Sequence, residues 1–346
     1  MKTTLIFLSV FLSVNLFGQY TQIPDSNFEQ ALINLGYDDV IDGQILTDSI
    51  NSISILEIAD MEISNLSGIE GFSSLTELYC EYNELSSLDL SFNSNLSVLH
   101  WFYNQLTELN VTQNLYLTQL MCEFNHLSSL DLHHNIELGI LNCAYNQLTQ
   151  LDVTSNTSLW FFICSHNEIS NLTFGENNSE LLSLICDNNH LNSLNITGNI
   201  QLWDVLCNDN QITALDCSQQ YQLENLDCSN NNLECLNVTN GNNMNLWSFI
   251  SNGNENLDCI QVDDTTWNTV PPIIDFFMVD SDVSFSNNCN YPENCGESTV
   301  NLSVLNTPKN LIKILDMVGR ETSYKPNTPL IYVYDDGSTE RVFTIE

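Results

Sequence analysis

Cysteines recur along this chain at a nearly constant spacing, so the first question is what a series of evenly spaced thiols could do. Such thiols can coordinate a metal, pair as disulfides, or fill a core as small apolar side chains. The chain has no C-x-x-C pair, which argues against a zinc ribbon. On adjacent parallel strands the Cβ vectors of neighbouring cysteines would run side by side, which suits a disulfide poorly. We therefore expect inert buried thiols at Cys80, Cys122, Cys143, Cys164, Cys186, Cys207 and Cys228.

These cysteines belong to a longer motif that repeats every 21 residues, with one step of 22 between Cys164 and Cys186. The first copy reads Leu75-x-x-Leu78-x-Cys80-x-x-Asn83-x-Leu85, and Trp101 and Phe249 are assigned to the cysteine position in two other copies. The asparagine recurs as Asn104, Asn125, Asn146, Asn167, Asn189, Asn210, Asn231 and Asn252. A period of about 20–29 residues with this leucine and asparagine spacing is the signature of leucine-rich repeats.

Each copy is too small to bury its apolar side alone, so successive copies must stack around one continuous core. Leu78 and Cys80 alternate with outward residues, as on a short parallel strand, and the asparagine amide can satisfy buried backbone groups at the next turn. Similar leucine spacing recurs in the second half of each copy, at 88–90, 130–132, 151–153 and 215–217. Only about ten residues separate the two halves, too few for an ordinary helix.

The sequence therefore predicts a right-handed leucine-rich-repeat solenoid over residues 53–259, with about ten turns of 21–22 residues. It would be a β-rich member of the α/β horseshoe class, with strands on both sides. Because the terminal turns need covers, we expect a short N-terminal helical cap over 20–52 and a C-terminal cap that breaks the repeat over 260–298. The cap helix is expected over 24–36, started by Asp25 or Ser26 and ended by Gly36.

Charge is distributed unevenly along the chain. It has 44 acidic and six basic residues, a formal net charge of −38, and no basic residue between Gln19 and Pro308. Phosphate binding needs Lys and Arg, so we exclude nucleic acid as a partner and expect no binding to anionic membranes. Such a charge favours a monomer and cationic partners. No D-x-[DN]-x-[DN]-G loop is present, so no cofactor is predicted and calcium alone is left open.

The N-terminus predicts export. Lys2 precedes an apolar run over 5–17 that is too short to span a bilayer, and Gly18 offers a cleavage point. Residues 1–19 are therefore expected to be a signal peptide, without a cysteine for a lipid anchor. We expect no membrane insertion, and a location outside the cell or on its outer surface.

Two further cysteines, Cys259 and Cys289, bracket the C-terminal cap. Because export permits oxidation, we favour a disulfide between them, with Cys295 as the competing partner. Closing a loop of about 30 residues would stabilise the cap by about 3–4 kcal/mol.

Residues 299–346 differ from the body because they hold five of the six basic residues. Turn signals separate three predicted strands near 311–316, 330–334 and 341–345, which indicates a separate small all-β module.

Three passages resemble secreted leucine-rich-repeat proteins of Bacteroidetes, of the flavobacterial type. They are Ile23-Pro24-Asp25-x-x-Phe28-Glu29-Gln30-Ala31-Leu32-Ile33, the repeats, and Cys259-Ile260-Gln261-Val262-Asp263-Asp264. The tail, with Ile312-Lys313-Ile314-Leu315-Asp316-Met317-Val318-Gly319-Arg320 and Tyr332-Val333-Tyr334-Asp335-Asp336-Gly337, looks like a type A sorting domain of the type IX secretion system. The resemblance implies that residues 299–346 engage the type IX secretion machinery. It leaves open whether that domain is removed and whether the protein is released or attached to the surface.

The outward residues of the predicted strands are apolar where solvent would favour polar side chains. A contiguous exposed apolar patch often marks an interaction site. We therefore expect a binding strip of Val98, His100, Phe102, Met121, Ile140, Phe161, Ile163 and Ile185. The competing interpretation is that the cap or the tail of the same chain covers this face.

The predicted function is non-enzymatic binding of a protein ligand or surface receptor, in protein–protein interaction or adhesion. The alternative is a cell-surface glycan-binding accessory protein, in which exposed aromatic side chains stack on sugars. Those side chains would be Trp160, Trp203, Tyr82, Tyr103 and Tyr145. No pattern singles out a nucleophile or a carboxylate pair, so no catalytic residue is predicted. His133, His134 and Glu137 form only a weak metal-ligand cluster, and no metal site is predicted.

Overall fold

The computed structural model describes residues 19–175, 178–266, 276–291, 311–316, 322, 330–334 and 339–342. Its contacts divide the chain into two compact units, 1–298 and 299–346. The predicted signal peptide lies outside the described residues except for Gln19, and Cys295 also lies outside them.

An 11-stranded parallel sheet, here called the front sheet, organises the first unit. Its strands are Ile55–Glu57, Glu77–Tyr79, Val98–His100, Gln119–Met121, Ile140–Asn142, Phe161–Ile163, Ser183–Ile185, Asp204–Leu206, Asn225–Asp227, Ser248–Ile250 and Phe276–Met278. Adjacent strands pair one repeat apart, so that Leu78 lies beside Leu99 and Leu99 beside Leu120. These central leucines are buried while the residues flanking them face outward. The prediction of a leucine-rich-repeat solenoid of about ten turns is confirmed.

The repeat cysteines line the core, as predicted. All seven are free, fully buried thiols, and Cys217 from the second half of a repeat is an eighth. Trp101 fills the same position in its own turn and is also fully buried. Burial raises the pKa of these thiols, including Cys143 and Cys164, far above the ordinary range. The thiolate is the reactive form, so these cysteines are inert packing residues.

The repeat asparagines connect successive turns. The Nδ2 atom of Asn104 donates to the carbonyls of Cys80 and Trp101, at 3.0 and 3.3 Å. Its Oδ1 accepts the N–H of Leu85 at 2.9 Å. Asn125 repeats this arrangement one turn later. The predicted role is confirmed, because each amide satisfies backbone groups that are shielded from water.

The last repeat departs from the sequence assignment. Phe249 pairs with the leucine of the preceding strand, so it occupies the leucine position and not the cysteine position. The buried asparagine that donates to the Cys228 carbonyl, at 3.1 Å, is Asn254 and not the expected Asn252. Two extra residues in the preceding turn, where the short 3-10 helix Asn243–Asn245 forms, cause this shift.

Strands on the opposite side of the solenoid, the back, form only in part of it. They are Gln150–Asp152 and Asn171–Thr173 in one parallel pair, and Ala214–Asp216, Cys235–Asn237, Cys259–Gln261 and Ser284–Ser286 in a four-stranded parallel sheet. Within the continuously described stretch 19–175, the predicted strands at 88–90 and 130–132 are absent. Residues of both segments, among them Leu88 and Asp131, line an open groove of about 930 Å³. The prediction of strands on both sides is therefore confirmed where these six back strands form and wrong at the two earlier segments.

The N-terminal cap is tied to the first repeat by one aspartate. The helix Ser26–Asn34 begins after Asp25, whose Oδ1 accepts the N–H of Phe28 at 3.0 Å. Its Oδ2 accepts the N–H of Ser64 at 2.9 Å. Gly36, with φ of +81°, follows the helix as predicted. The remaining elements of this end are the antiparallel strands Tyr20–Gln22 and Gln44–Leu46, the helix Thr47–Ile50 and the 3-10 helix Ile69–Gly71.

The described part of the C-terminal cap adds a strand to each sheet, because Phe276–Met278 extends the front sheet and Ser284–Ser286 extends the back sheet. Cys259 and Cys289 form the disulfide that the sequence analysis favoured, with Cα atoms 5.9 Å apart. Cys235 is also disulfide-bonded.

The second unit contains an antiparallel sheet with the strands Leu311–Asp316, Leu330–Tyr334 and Thr339–Val342. The third strand begins two residues before its predicted start.

Candidate binding face

The predicted binding strip lies on five adjacent strands of the front sheet. The strand register forms one outward column with Val98, Ile140 and Phe161, and a second with His100, Met121, Ile163 and Ile185. Phe102 follows two residues after His100. All eight side chains are partly exposed. The structure therefore gathers every residue of the strip on one face, with neighbouring strands about 4.8 Å apart.

An aromatic column runs beside the strip, at the turn that ends each front strand. It consists of Tyr82, Tyr103, Phe124, Tyr145 and His166, which have φ between 52° and 56°. Bulky residues rarely adopt this left-handed conformation. Successive rings are stacked at centroid distances of 4.8, 4.1, 4.2 and 4.1 Å, within 14° of parallel. The rings align because the same turn recurs at the same place in each repeat.

This stacking decides what the aromatic column can offer a ligand. Tyr82, Tyr103 and Tyr145 are 50%, 43% and 43% exposed. Between the ends of the stack, however, neighbouring rings occupy both faces of each ring. The column therefore presents ring edges and phenol hydroxyls, and not the open faces on which sugar rings stack. This geometry weakens the case for Tyr103 and Tyr145 as a glycan platform.

Two carboxylates lie beside Phe102, at the edge of the strip that adjoins the aromatic column. Phe102 lies between Glu81 and Glu123 on three successive turns. Two backbone hydrogen bonds fix this order, because the N–H of Tyr82 donates to the carbonyl of Phe102 and the N–H of Tyr103 donates to the carbonyl of Glu123. The Oε2 atoms of both glutamates are buried, and within the described part of the chain neither has a hydrogen-bond partner. Burial raises the pKa of Glu123 to about 7. A hydrogen bond from the backbone of Glu123 itself lowers this pKa, whereas the negative charge of Glu81 raises it. Glu81 and Glu123 thus each place a partly exposed side chain with one buried oxygen on this face.

A third carboxylate, Glu77, lies beside Val98 of the strip on the preceding strand. The hydroxyl of Tyr79 donates to Glu77 Oε2 at 2.7 Å. That hydrogen bond, together with burial, raises the pKa of Tyr79 to about 12. Tyr79 therefore keeps its proton at neutral pH and holds the Glu77 carboxylate in place.

The two tryptophans of the glycan alternative lie at the residue that precedes a front strand. Trp160 is 44% exposed and Trp203 is 41% exposed, two turns apart. The Trp160 indole lies against Gly139, where an added Cβ would meet its Nε1 atom at 3.0 Å. The lack of a side chain at Gly139 therefore lets the indole pack close to the backbone.

The histidines do not converge on a metal site. Among the described residues, no group of three or more His, Cys, Asp and Glu side chains is arranged to hold a metal ion. His133 contacts His134 edge to face, and its Nδ1 lies 2.8 Å from the hydroxyl of Ser155. No helix in the described ranges is both long and apolar enough to cross a membrane.

Sequence reasoning missed two members of the aromatic column, Phe124 and His166. Both directly precede a repeat asparagine, as do Tyr82, Tyr103 and Tyr145. The shared position was therefore a usable signal, but the parallel stacking and the positive φ appear only in three dimensions. The buried oxygens of Glu81 and Glu123 were likewise not predicted, because burial of one carboxylate oxygen depends on neighbouring turns.

These observations define a leucine-rich-repeat solenoid with a buried series of thiols. Neither a protein-family model nor a curated protein matches the chain. Among solved structures, the chain is similar to the functional domain of InlJ from Listeria monocytogenes, which includes a cysteine ladder. The two sequences are 30% identical, and the match has a TM-score of 0.56 and covers 73% of this chain and 65% of that one. The leucine-rich-repeat protein LIC12759 from Leptospira interrogans is 22% identical, with a TM-score of 0.53 over 60% of this chain and 57% of that one.

Internalin C2 from Listeria monocytogenes is 19% identical, with a TM-score of 0.50 over 56% of this chain and 91% of that one. The chain spans less than two thirds of the length of the first two structures. The likeness to LIC12759 and to internalin C2 concerns the fold. A leucine-rich-repeat solenoid fits a non-enzymatic binding role.

Proposed function

We propose that the protein is a secreted or cell-surface binding protein that engages a protein partner through the strip on its front sheet. The observation that carries the proposal is the strip itself, which joins eight partly exposed and mostly apolar residues on adjacent strands. Centres of protein interfaces are depleted in charge and rich in aromatic residues. Phe161 and Ile163, on the same strand, are the proposed centre.

The test compares partner capture by the wild type with that by Phe161→Asp/Ile163→Asp. The matched control is Leu115→Asp/Ile136→Asp, which adds the same two charges at exposed apolar positions away from the front strands. Capture from the native environment, identified by mass spectrometry, should be lost in the first variant and kept in the control. Because the mutated side chains are partly exposed, circular dichroism should be unchanged in both variants. Retained capture by Phe161→Asp/Ile163→Asp would show that the strip is not the binding site.

Export supports this role and is itself a proposal. The N-terminal apolar run and the resemblance of residues 299–346 to a type A sorting domain motivate it. Deleting residues 299–346 should leave the protein inside the cell envelope, which fractionation would detect. Unchanged surface or medium localisation would reject this export route.

Glycan binding is a second candidate, favoured by the exposed indoles of Trp160 and Trp203. If the tryptophans bind a glycan, Trp160→Ala/Trp203→Ala should lose the binding signal of the wild type on a glycan array. The control variant Tyr103→Ala should keep that signal. Absence of any glycan signal from the wild type would remove this candidate.

A further inference from the structure

The N-terminal half of the front sheet carries an open cluster of aromatic rings. Tyr79 and His100 meet edge to face with centroids 4.8 Å apart, and the His100 and Phe102 centroids are 6.2 Å apart. Phe102 also contacts Tyr82 edge to face at 5.3 Å. An edge-to-face contact covers a face of only one of its two rings, and Phe102 remains partly exposed. Exposed aromatic surface of this kind attracts cations. Burial lowers the pKa of His100, so this ring is neutral at pH 7 and does not repel a cation.

Carboxylates stand on both sides of the Phe102 ring. Glu81 and Glu123 are its neighbours on the turns before and after, and each has a buried Oε2 atom for which the described residues supply no hydrogen-bond donor. A desolvated carboxylate oxygen without a partner is unfavourable. Both glutamate side chains are also partly exposed, so a cationic donor from outside can reach them and relieve that cost. We call Glu81, Phe102 and Glu123 the cation patch.

The solenoid has no basic side chain of its own to fill the cation patch. Its sequence contains no Lys or Arg between Gln19 and Pro308, while 38 of the 44 acidic residues precede Pro308. Charge complementarity therefore favours a partner with lysine or arginine side chains and disfavours a second copy of this acidic body.

We infer that the cation patch docks an arginine- or lysine-rich segment of the partner protein, with one cationic side chain over Phe102 between Glu81 and Glu123. The inference rests on the proposed function and adds the chemistry of the partner. A guanidinium group suits the patch best, because its plane stacks on the ring while its N–H groups donate to carboxylates on either side.

The experiment measures binding of a fluorescein-labelled oligo-arginine peptide to the full chain by fluorescence anisotropy. Salt at about 0.15 M suppresses long-range attraction, and a buffer at pH 8, above the Glu123 pKa of about 7, keeps Glu123 ionised. The wild type should bind this peptide and not an oligo-glutamate peptide of the same length. Glu81→Gln/Glu123→Gln should weaken binding by about tenfold or more, because two charge-assisted hydrogen bonds lose their charge. Phe102→Leu keeps an apolar side chain but removes the ring, and should weaken binding by about threefold or more.

The matched control is Glu224→Gln/Glu234→Gln, which removes the same two charges from exposed positions later in the chain. It should change affinity by less than about twofold, since screened surface charges contribute little. An equal loss in both double variants would mean diffuse attraction to an acidic protein and would overturn the inference. No binding of the arginine peptide by the wild type would also overturn it.

The two proposals fail in different ways. If Phe161→Asp/Ile163→Asp abolishes capture of the native partner but Glu81→Gln/Glu123→Gln does not change it, the cation patch is rejected. The proposed function then stands. If peptide binding depends on the cation patch but Phe161→Asp/Ile163→Asp does not change capture of the native partner, the strip is rejected as the binding site instead.

Discussion

The rings of Tyr103 and Phe124 lie 7° from parallel with centroids 4.1 Å apart, although the backbone of both residues is left-handed, with φ of 53°. For residues with a Cβ this conformation costs about 1–2 kcal/mol. Later in the solenoid the same position is occupied by Asn188, Asp209 and Asn230, whose residue types tolerate it. The aromatic column therefore combines an unfavourable backbone conformation with favourable ring stacking.

This relationship predicts an order of stability at Tyr103. Tyr103→Ala removes the stack and keeps the cost of the left-handed backbone, whereas Tyr103→Gly removes both. The glycine variant should therefore be more stable than the alanine variant by about 1 kcal/mol. Urea unfolding followed by circular dichroism measures the difference. An alanine variant at least as stable as the glycine variant would show that the backbone is not strained there.

The corrected register of the last repeat predicts unequal effects at two nearby asparagines. Asn254 accepts the N–H of Leu233 at 3.0 Å and donates to the carbonyls of Cys228 and Ser251, at 3.1 and 2.8 Å. Asn254→Leu should lower the free energy of unfolding by about 2–4 kcal/mol, because buried backbone groups lose their partners.

The matched variant is Asn252→Leu, the same substitution at the position that the 21-residue period had assigned. Asn252 is only partly buried, and its Oδ1 has no partner among the described residues. Its replacement should change the free energy of unfolding by less than about 1 kcal/mol. Hydrogen exchange at Leu233 should quicken only in Asn254→Leu, and the reverse pattern would restore the original assignment.

The buried thiols predict strong protection from alkylation. Burial raises the pKa of all eight free cysteines, so thiolate is scarce and reagents have no access. Iodoacetamide followed by peptide mass spectrometry should find Cys143 and Cys164 unmodified in the folded protein and fully modified in urea. Labelling of either cysteine without unfolding would mean that the core opens locally.

The 21-residue period was sufficient to predict the solenoid, its core cysteines and its asparagine contacts, because every repeat meets the same neighbours. It failed where a turn changes length, as before Phe249, since two additional residues shift the register without altering the local pattern. It also failed on the early back segments at 88–90, where strand formation depends on how closely successive turns approach. Leucine spacing alone does not report that distance.

The candidate site was predictable to a lesser degree for a related reason. The outward residues of the strip follow from strand alternation, so Phe161 and Ile163 could be placed on one face in advance. The same alternation places Glu81, Phe102 and Glu123 on that face, but the buried oxygens of the two glutamates could not be predicted, because both look like ordinary surface carboxylates in the sequence. Only the packing of adjacent turns buries one oxygen of each.

The raised pKa of Glu123 predicts a pH-dependent effect on stability. Its pKa in the folded protein is about 7, against 4.5 for an ordinary glutamate. Between these values the folded state keeps a proton that the unfolded chain has lost, so this carboxyl lowers stability as pH rises from about 4.5 to 7. Glu123→Gln removes that loss, and should therefore stabilise the protein at pH 8 and leave it unchanged at pH 4. Partial exposure of Glu123 makes the gain smaller than full burial would give.

The control for this effect is Glu84→Gln, the same substitution at an exposed position on the turn that precedes Phe102. Urea unfolding of each variant and of the wild type should be measured at pH 4, 6 and 8. The advantage of Glu123→Gln should grow with pH, whereas Glu84→Gln should follow the wild type throughout. A constant difference at all three pH values would mean that packing of the amide, and not ionisation of Glu123, sets the stability. Glu123 would then hold an ordinary surface charge, and its buried Oε2 would not report a desolvated anion.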